Sequence, residues 1–149
     1  MVHRKKQQPP SYRVIDFAEK DFVSLDENTL VAEGARIMYE RDVCTVIVTR
    51  NDSKRLFRQS VGIITSRDIL QRVVAQSKGP FKVTLKDIMS TPLITINKDA
   101  PTNSAILLMK GKNITRLPVI NESGEILGIV SLKAILGRIS HENIDAINA

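Results

Sequence analysis

The residues best placed to do chemistry are Thr65, Ser66, Arg67 and Asp68, which follow the apolar run 61–64 directly. A hydroxyl three residues ahead of a carboxylate forms a reciprocal helix cap. The threonine accepts from the amide of the aspartate, and the aspartate accepts from the amide of the threonine. The same geometry presents free amides and the positive end of a helix dipole, which suits a phosphate. Cap and anion site are compatible readings. A second hydroxyl, Ser131, follows the run 127–130, but Ala134 stands where the first box has its acid. Arg67 and Lys133 beside these hydroxyls are either neutralising charges for a phosphate or solvated helix-surface cations.

Both boxes close a pattern that is written twice. Residues 62–68 read GIITSRD and residues 128–134 read GIVSLKA. An offset of 71 places Asp16 on Asp87, Leu25 on Ile96, Met38 on Met109 and Val48 on Val119. Beyond the second strand the offset becomes 66, pairing Gly62 with Gly128, Thr65 with Ser131 and Leu70 with Leu136, so five residues are missing from one hairpin. A unit of about 60 residues buries its apolar face poorly alone, so two copies should pack on each other and create matching clefts.

Each copy opens with an extended piece, 22–25 or 93–96, followed by polar cap residues at 26–29 and 97–99, with Pro101 suited to a first helical turn. Leu30, Ile37 and Met38, and then Ala105, Leu108 and Met109, have helical spacing. The apolar runs 43–48 and 117–120 read as strands joined by hairpins to 61–64 and 127–130, the second through the compact turn NESGE. A helix follows Thr65 or Ser131. The expected fold is mixed α/β (α+β), two β-α-β-β-α repeats packed pseudo-symmetrically. The boundaries expected are a basic tail 1–13, repeats 14–77 and 85–136, a linker 78–84 around Lys78, Gly79 and Pro80, and a C-terminal tail or helix 137–149.

Composition narrows the function. The net charge of +6 comes largely from Arg4, Lys5, Lys6 and Arg13, in a stretch with no acid, leaving about +2 for the rest. Such a tail reads as a solubilising end, with nucleic-acid contact as the minor alternative. Arg50, Lys54, Arg55 and Arg58 form a second cluster in the longer hairpin, a solvated loop or a contact for a partner. The single cysteine, Cys44, lies in VCTVIV and reads as a buried structural thiol in a reducing compartment. No apolar stretch approaches the roughly 20 residues needed to span a bilayer, and the N-terminus has no signal-peptide segment, so a cytoplasmic protein without a membrane partner is expected.

Little points to catalysis. His3 and His141 sit near opposite ends, no Cys/His cluster has metal spacing, and GKNIT at 111–115 lacks the upstream glycine of a P-loop. No enzyme activity, metal or required cofactor is expected. The sequons at Asn113 and Asn121 carry no meaning without a secretory signal. Four phenylalanines, two tyrosines and no tryptophan provide few stacking platforms for single-stranded bases.

The doubled order, the leads DFAEKDFVSL and DIMSTPLITI, the stretch NITRLPVINESGEILGIVS and the ending GIITSRDIL together resemble a pair of cystathionine β-synthase (CBS) domains across residues 14–136. The resemblance implies a free-standing regulatory module that binds adenosine-containing ligands. It assigns Asp68 to the two ribose hydroxyls and Thr65 to a phosphate, a division that fits a carboxylate's need for donors and its repulsion of anions. It implies a base slot drawn from the opposite repeat, with Met89, Ser90 and Ile94 before the second helix and Ile114 and Thr115 before the second strand, and lined by Ile63 from its own side. Each apolar member could equally be ordinary core. The second cleft would comprise Ser131, Lys133, Arg116 and Ile129, with Val43 and Cys44 on the base side. Without an acid at Ala134 it should be weaker by about 1.5–3 kcal/mol, tenfold to over a hundredfold.

The resemblance therefore implies an adenine-nucleotide sensor for AMP, ADP or ATP, with S-adenosylmethionine less favoured because Thr65 and Arg67 face phosphate. Binding would fix the repeats' orientation and act on a separate effector protein. It also implies a homodimer formed through helices, with Ile37, Met38, Leu107 and Leu108 as interface or core positions. Two alternatives compete with it: a nucleic-acid-binding accessory protein using the tail and the 50–58 hairpin, and a structural dimer scaffold with vestigial clefts.

Overall fold

The computed structural model describes residues 12–56 and 58–138. Most of the basic tail, His3, His141 and residues 139–149 of the C-terminal segment lie outside the described residues. The chain divides into two compact units, one of residues 21–94 and the other of 12–20 with 95–138 among the described residues. These are called below the Asp68 unit and the Ala134 unit. Their boundaries are offset from those of the sequence repeats: each unit contains the lead segment of the other repeat.

The Asp68 unit holds β1 (Val23–Asp26), α1 (Val31–Glu40), β2 (Thr45–Arg50), β3 (Gln59–Thr65), α2 (Ser66–Ile69) and α3 (Leu85–Ile88). Its sheet has the order β1-β2-β3, with β1 parallel and β3 antiparallel to β2. The Ala134 unit repeats this with β4 (Ile96–Asn97), α4 (Thr102–Lys112), β5 (Arg116–Ile120), β6 (Ile126–Ser131) and a helix α5 over 132–138, in the order β4-β5-β6. The central strand β2 is buried from Thr45 to Thr49, as expected of a strand covered on both faces. The registers slip at Val48/Thr49 and at Val119/Ile120, the same place in each copy.

The helices bury Val31, Gly34 and Met38 in α1 and Thr102, Ala105 and Met109 in α4, an i, i+3, i+7 stripe at matching positions. Leu30 falls off the expected stripe: it is the N-cap of α1 and 40% exposed. Neither helix has a side-chain cap. The chain supplies carbonyls instead, Val83 to the Val31 amide, Pro80 to the Ala32 amide and Tyr12 to the Thr102 amide. Asp26 and Asn97, expected as cap residues, close short turns by accepting from Asn28 and Asp99. Pro101 likewise precedes α4 as its N-cap.

The Asp68 unit's core joins Val31, Val48, Ile64, Val73, Leu85 and Ile88, with a second cluster of Val23, Met38 and Val46. Leu85 and Ile88 come from the second repeat's lead, where α3 is capped by Thr84 and Asp87. The amide and then the hydroxyl of Thr84 donate to Asp87, holding its carboxyl below its ordinary range. In the Ala134 unit the first repeat's lead is seated by the fully buried Val14 and by Arg13, which reaches Asp99 at 2.8 Å.

Glycine makes the exchange of leads possible. Ser90 pairs with Ile63 in both directions, at 3.0 and 3.2 Å, while Glu19 pairs with Ile129 at 2.8 and 2.9 Å. A Cβ on Gly62 would stand 2.7 Å from Met89 Sδ, and one on Gly128 would stand 2.6 Å from the Glu19 carbonyl oxygen.

Candidate functional site

In the Asp68 unit, β3 delivers Thr65 in an extended conformation at the N-terminus of α2. Asp68 Oδ2 accepts from the Thr65 amide at 2.8 Å and from its hydroxyl at 3.1 Å, and the Asp68 amide donates back to Thr65 Oγ1 at 3.3 Å. The cap reading is thus realised. It uses one carboxylate oxygen. The other, Oδ1, has an ion-pair partner in Arg72 at 3.6 Å and retains acceptor capacity for a hydroxyl donor. Asp68 is half-buried and Arg67 is exposed on the helix surface.

Ile63, Met89, Ser90 and Ile94 belong to this same unit and are all partly buried. The Ser90 amide is committed to Ile63, so what Ser90 has left to offer a ligand is chiefly its hydroxyl. Val43 and Cys44 also lie here, lining a cavity of about 570 Å³ with Met38, Tyr39, Ser66 and Ile69. The Cys44 carbonyl takes the Ser66 amide at 3.0 Å, so one of the free amides of α2 is already occupied. Cys44 is exposed, which corrects the expectation of a buried thiol: β2 starts at Thr45, and the cysteine precedes it at the cavity's edge. Met38 is core rather than interface, at 6% exposure.

In the Ala134 unit, Thr115, Arg116, Ser131 and Lys133 line one cavity of about 590 Å³ with Leu132 and Leu136. Ser131 Oγ accepts from the Ala134 amide at 3.1 Å, a single cap bond where the other unit has a reciprocal pair. The Thr115 carbonyl takes the Leu132 amide at 2.9 Å, matching Cys44 and Ser66. Arg116 also donates to Thr115 Oγ1 at 3.4 Å. Two hydroxyls and two cations thus surround one opening, with no carboxylate among its lining residues. Ile114 and Thr115, expected on the base side of the Asp68 cleft, belong to this unit. Ile129, expected beside Ser131, is buried at 8% exposure and paired with Glu19.

The basic hairpin is largely self-compensated. Arg50 forms a two-pronged pair with Glu27 at 2.9 Å, Arg55 lies 3.6 Å from Asp52, and Arg58 lies 3.7 Å from Asp26. The bonds from Arg50 hold the Glu27 carboxyl below its ordinary range and raise the Arg50 guanidinium. Among the described residues no group of three His, Cys, Asp or Glu side chains could hold a metal, and no helix is long and apolar enough to cross a membrane.

One residue of the corner was not singled out by motif reading. Arg72 lies one turn beyond Asp68, and its position repeats at Arg138, a signal visible only once the repeat alignment is carried to the end of the last helix.

A fold of two matched units, each closing on a hydroxyl-led helix, corresponds to known proteins. The model of the CBS domain matches twice, over residues 14–75 and 85–141, and the chain belongs to the CBS domain family as a tandem pair. An uncharacterised protein of Methanopyrus kandleri is 35% identical over 126 residues, covering 85% of this chain and 62% of its own length. The chain spans between 23% and 62% of the length of the first curated relatives that it matches. Among solved structures, the CBS domain pair of protein MJ0100, in complex with 5'-methylthioadenosine and S-adenosyl-L-methionine, superposes with a TM-score of 0.75. It is 27% identical, with 89% of this chain and 99% of that one covered. A CBS domain protein of Pyrobaculum aerophilum complexed with AMP gives 0.71, at 28% identity, covering 83% and 89%.

Proposed function

We infer that the protein is a regulatory module that binds an adenine nucleotide at the Asp68 corner. The observation that carries this reading is the carboxylate itself: Thr65 fixes one of its oxygens in place and leaves the other able to receive ribose hydroxyls. Thr65 and the exposed Arg67 are suited to the phosphate, while Ile63, Met89, Ser90 and Ile94 are suited to the base. The AMP and methylthioadenosine complexes of similar CBS proteins support the ligand class. AMP, ADP and ATP remain the preferred ligands.

The Ala134 cavity takes anions more readily than ribose, since its hydroxyls and cations lack an acidic partner. The signal passes to an effector protein, in a cytoplasmic setting, from a homodimer to which Leu107, 70% exposed, and the half-buried Ile37 and Leu108 contribute apolar surface. The pairing of Arg50, Arg55 and Arg58 with carboxylates weighs against the nucleic-acid alternative, because a phosphate would have to displace those partners.

Isothermal titration with AMP, ADP, ATP, S-adenosylmethionine and 5'-methylthioadenosine tests this. Asp68→Ala should weaken binding about tenfold to a hundredfold, and Ala134→Asp should strengthen binding at the second cavity by a similar factor. Absence of heat with all five ligands, or binding indifferent to Asp68→Ala, removes the assignment.

A further inference from the structure

Arg72 lies in the π-helical stretch Leu70–Val74 that continues α2. Its Nη2 stands 3.6 Å from Asp68 Oδ1, and its Nη1 donates to the carbonyl of Ile88, the last residue of α3. A C-terminal helix carbonyl lacks an intrahelical partner and favours a cation. Directly after Ile88 come Met89 and Ser90, and Ser90 is zipped to Ile63. One planar guanidinium therefore bridges the corner's carboxylate and the lead segment of the second repeat, and its rigid fork ties the two contacts together.

The other unit provides the contrast. Arg138 occupies the matching position and lies 4.9 Å from the ring centre of Phe17 and 5.5 Å from that of Tyr12. Phe17 is the repeat counterpart of Ile88. Both arginines thus clamp the exchanged lead segment, but Arg138 faces Ala134 one turn earlier, and residues 132–138 are α-helical without a π turn. Only Arg72 combines the clamp with a carboxylate, and π turns recur where a helix is adapted for function.

We propose that Arg72 is a positioning residue that couples the state of the Asp68 carboxylate to the lead segment 85–94. A ligand hydroxyl donating to Oδ1 competes for the charge that holds one edge of the guanidinium, and the other edge changes its hold on Ile88. Segment 85–94 is where the chain leaves this unit, so the contact reports occupancy to the covalent connection. The ligand-dependent half of the proposal rests on the nucleotide reading above; the coupling itself exists in the unliganded protein.

Amide hydrogen exchange on the whole chain tests it, with Asp68→Asn, Arg72→Ala, Arg72→Lys and Arg138→Ala. Asparagine keeps an acceptor for the Thr65 cap, so the fold is retained. Asp68→Asn and Arg72→Ala should each speed exchange of the Ser90 amide about threefold or more, and the double variant should be no faster than Arg72→Ala alone. Arg72→Lys should fall between, and Arg138→Ala should leave Ser90 unchanged. Saturating AMP should shift exchange of the Leu85 amide, which donates to the Thr29 carbonyl outside the proposed base slot, in the wild type and not in Arg72→Ala. Additive acceleration in the double variant, or an AMP-dependent shift that survives Arg72→Ala, overturns the proposal. If AMP fails to bind while the unliganded variants still behave non-additively, the nucleotide reading fails and the coupling stands.

Discussion

The corner at Asp68 and the corner at Ala134 share a backbone and differ in what they do with it. Each has a strand delivering a hydroxyl to a helix, a carbonyl from the residue just before the central strand on the first helical amide, and a glycine that admits the other repeat's lead segment. At Asp68 the cap is reciprocal, and the carboxylate extends through Arg72 to Ile88. At Ala134 the cap is a single bond, the arginine rests on aromatic rings, and the opening collects two cations. Duplication preserved the contacts that fold each unit. The side chains facing the openings are where the copies differ, an acid at Asp68 against hydroxyls and cations without an acid in the Ala134 unit.

The largest effect expected from breaking this match lies at the glycines. A Cβ on Gly128 meets backbone, the Glu19 carbonyl at 2.6 Å, whereas the nearest atom to a Cβ on Gly62 is the flexible Met89 sulfur, with the Ser90 carbonyl at 3.0 Å. The methionine side chain can move, whereas the Glu19 backbone is held by two hydrogen bonds to Ile129. Gly128→Ala should therefore cost about 2–3 kcal/mol and Gly62→Ala about 1 kcal/mol, read from urea midpoints at constant m-value. Equal costs, or the reverse order, would mean that the two lead segments are not held with the rigidity described.

The caps should show a smaller difference of the same kind. Thr65→Ala removes both the bond from the Asp68 amide and the hydroxyl donated to Oδ2, while Ser131→Ala removes one bond. About 1–1.5 kcal/mol is expected for the first and about 0.5–1 for the second. Equal losses in thermal or urea unfolding would show that the Thr65 hydroxyl's donation to Oδ2 adds nothing to the folded state.

Much of this architecture was legible in the chain because the repeat is nearly gapless. The longer helices, the antiparallel strand pairs, the shorter hairpin and the Thr65–Asp68 box sit where spacing placed them, whereas the strand expected at 93–96 is only Ile96–Asn97. The exchange of lead segments was not legible: an offset of 71 matches Asp16 with Asp87 but does not say on which sheet either lead will pair. That depends on tertiary contacts such as Ser90 with Ile63. Cys44 was misread for a related reason. An apolar run gives a strand's composition but not its first residue, and with Thr45 first the thiol is left at the edge of a cavity. Arg72 carried no motif beyond the repeat of its position at Arg138, and its contacts with Asp68 and the Ile88 carbonyl mark it.

Acid should expose a last asymmetry. Both Glu27 oxygens accept from Arg50 at 2.9 Å, and the glutamate side chain is 11% exposed. The hydrogen bonds from Arg50 lower the Glu27 carboxyl, and Lys86 assists while burial and Asp26 oppose. Because the folded value lies below the unfolded one, the pair's contribution is complete at neutral pH and is lost as pH falls through the lowered value. At the matching positions the Ala134 unit has Lys98 and Asn121, which cannot form such a pair. Lowering the pH through the acidic range where the Glu27 carboxylate becomes protonated should thus reduce amide protection, corrected for the intrinsic exchange rate at each pH, along β1 and β2 before β4 and β5, and Glu27→Gln should abolish that lead. If β4 and β5 loosen first, or the glutamine variant keeps the same order, the Glu27–Arg50 pair does not govern the acid response of its unit.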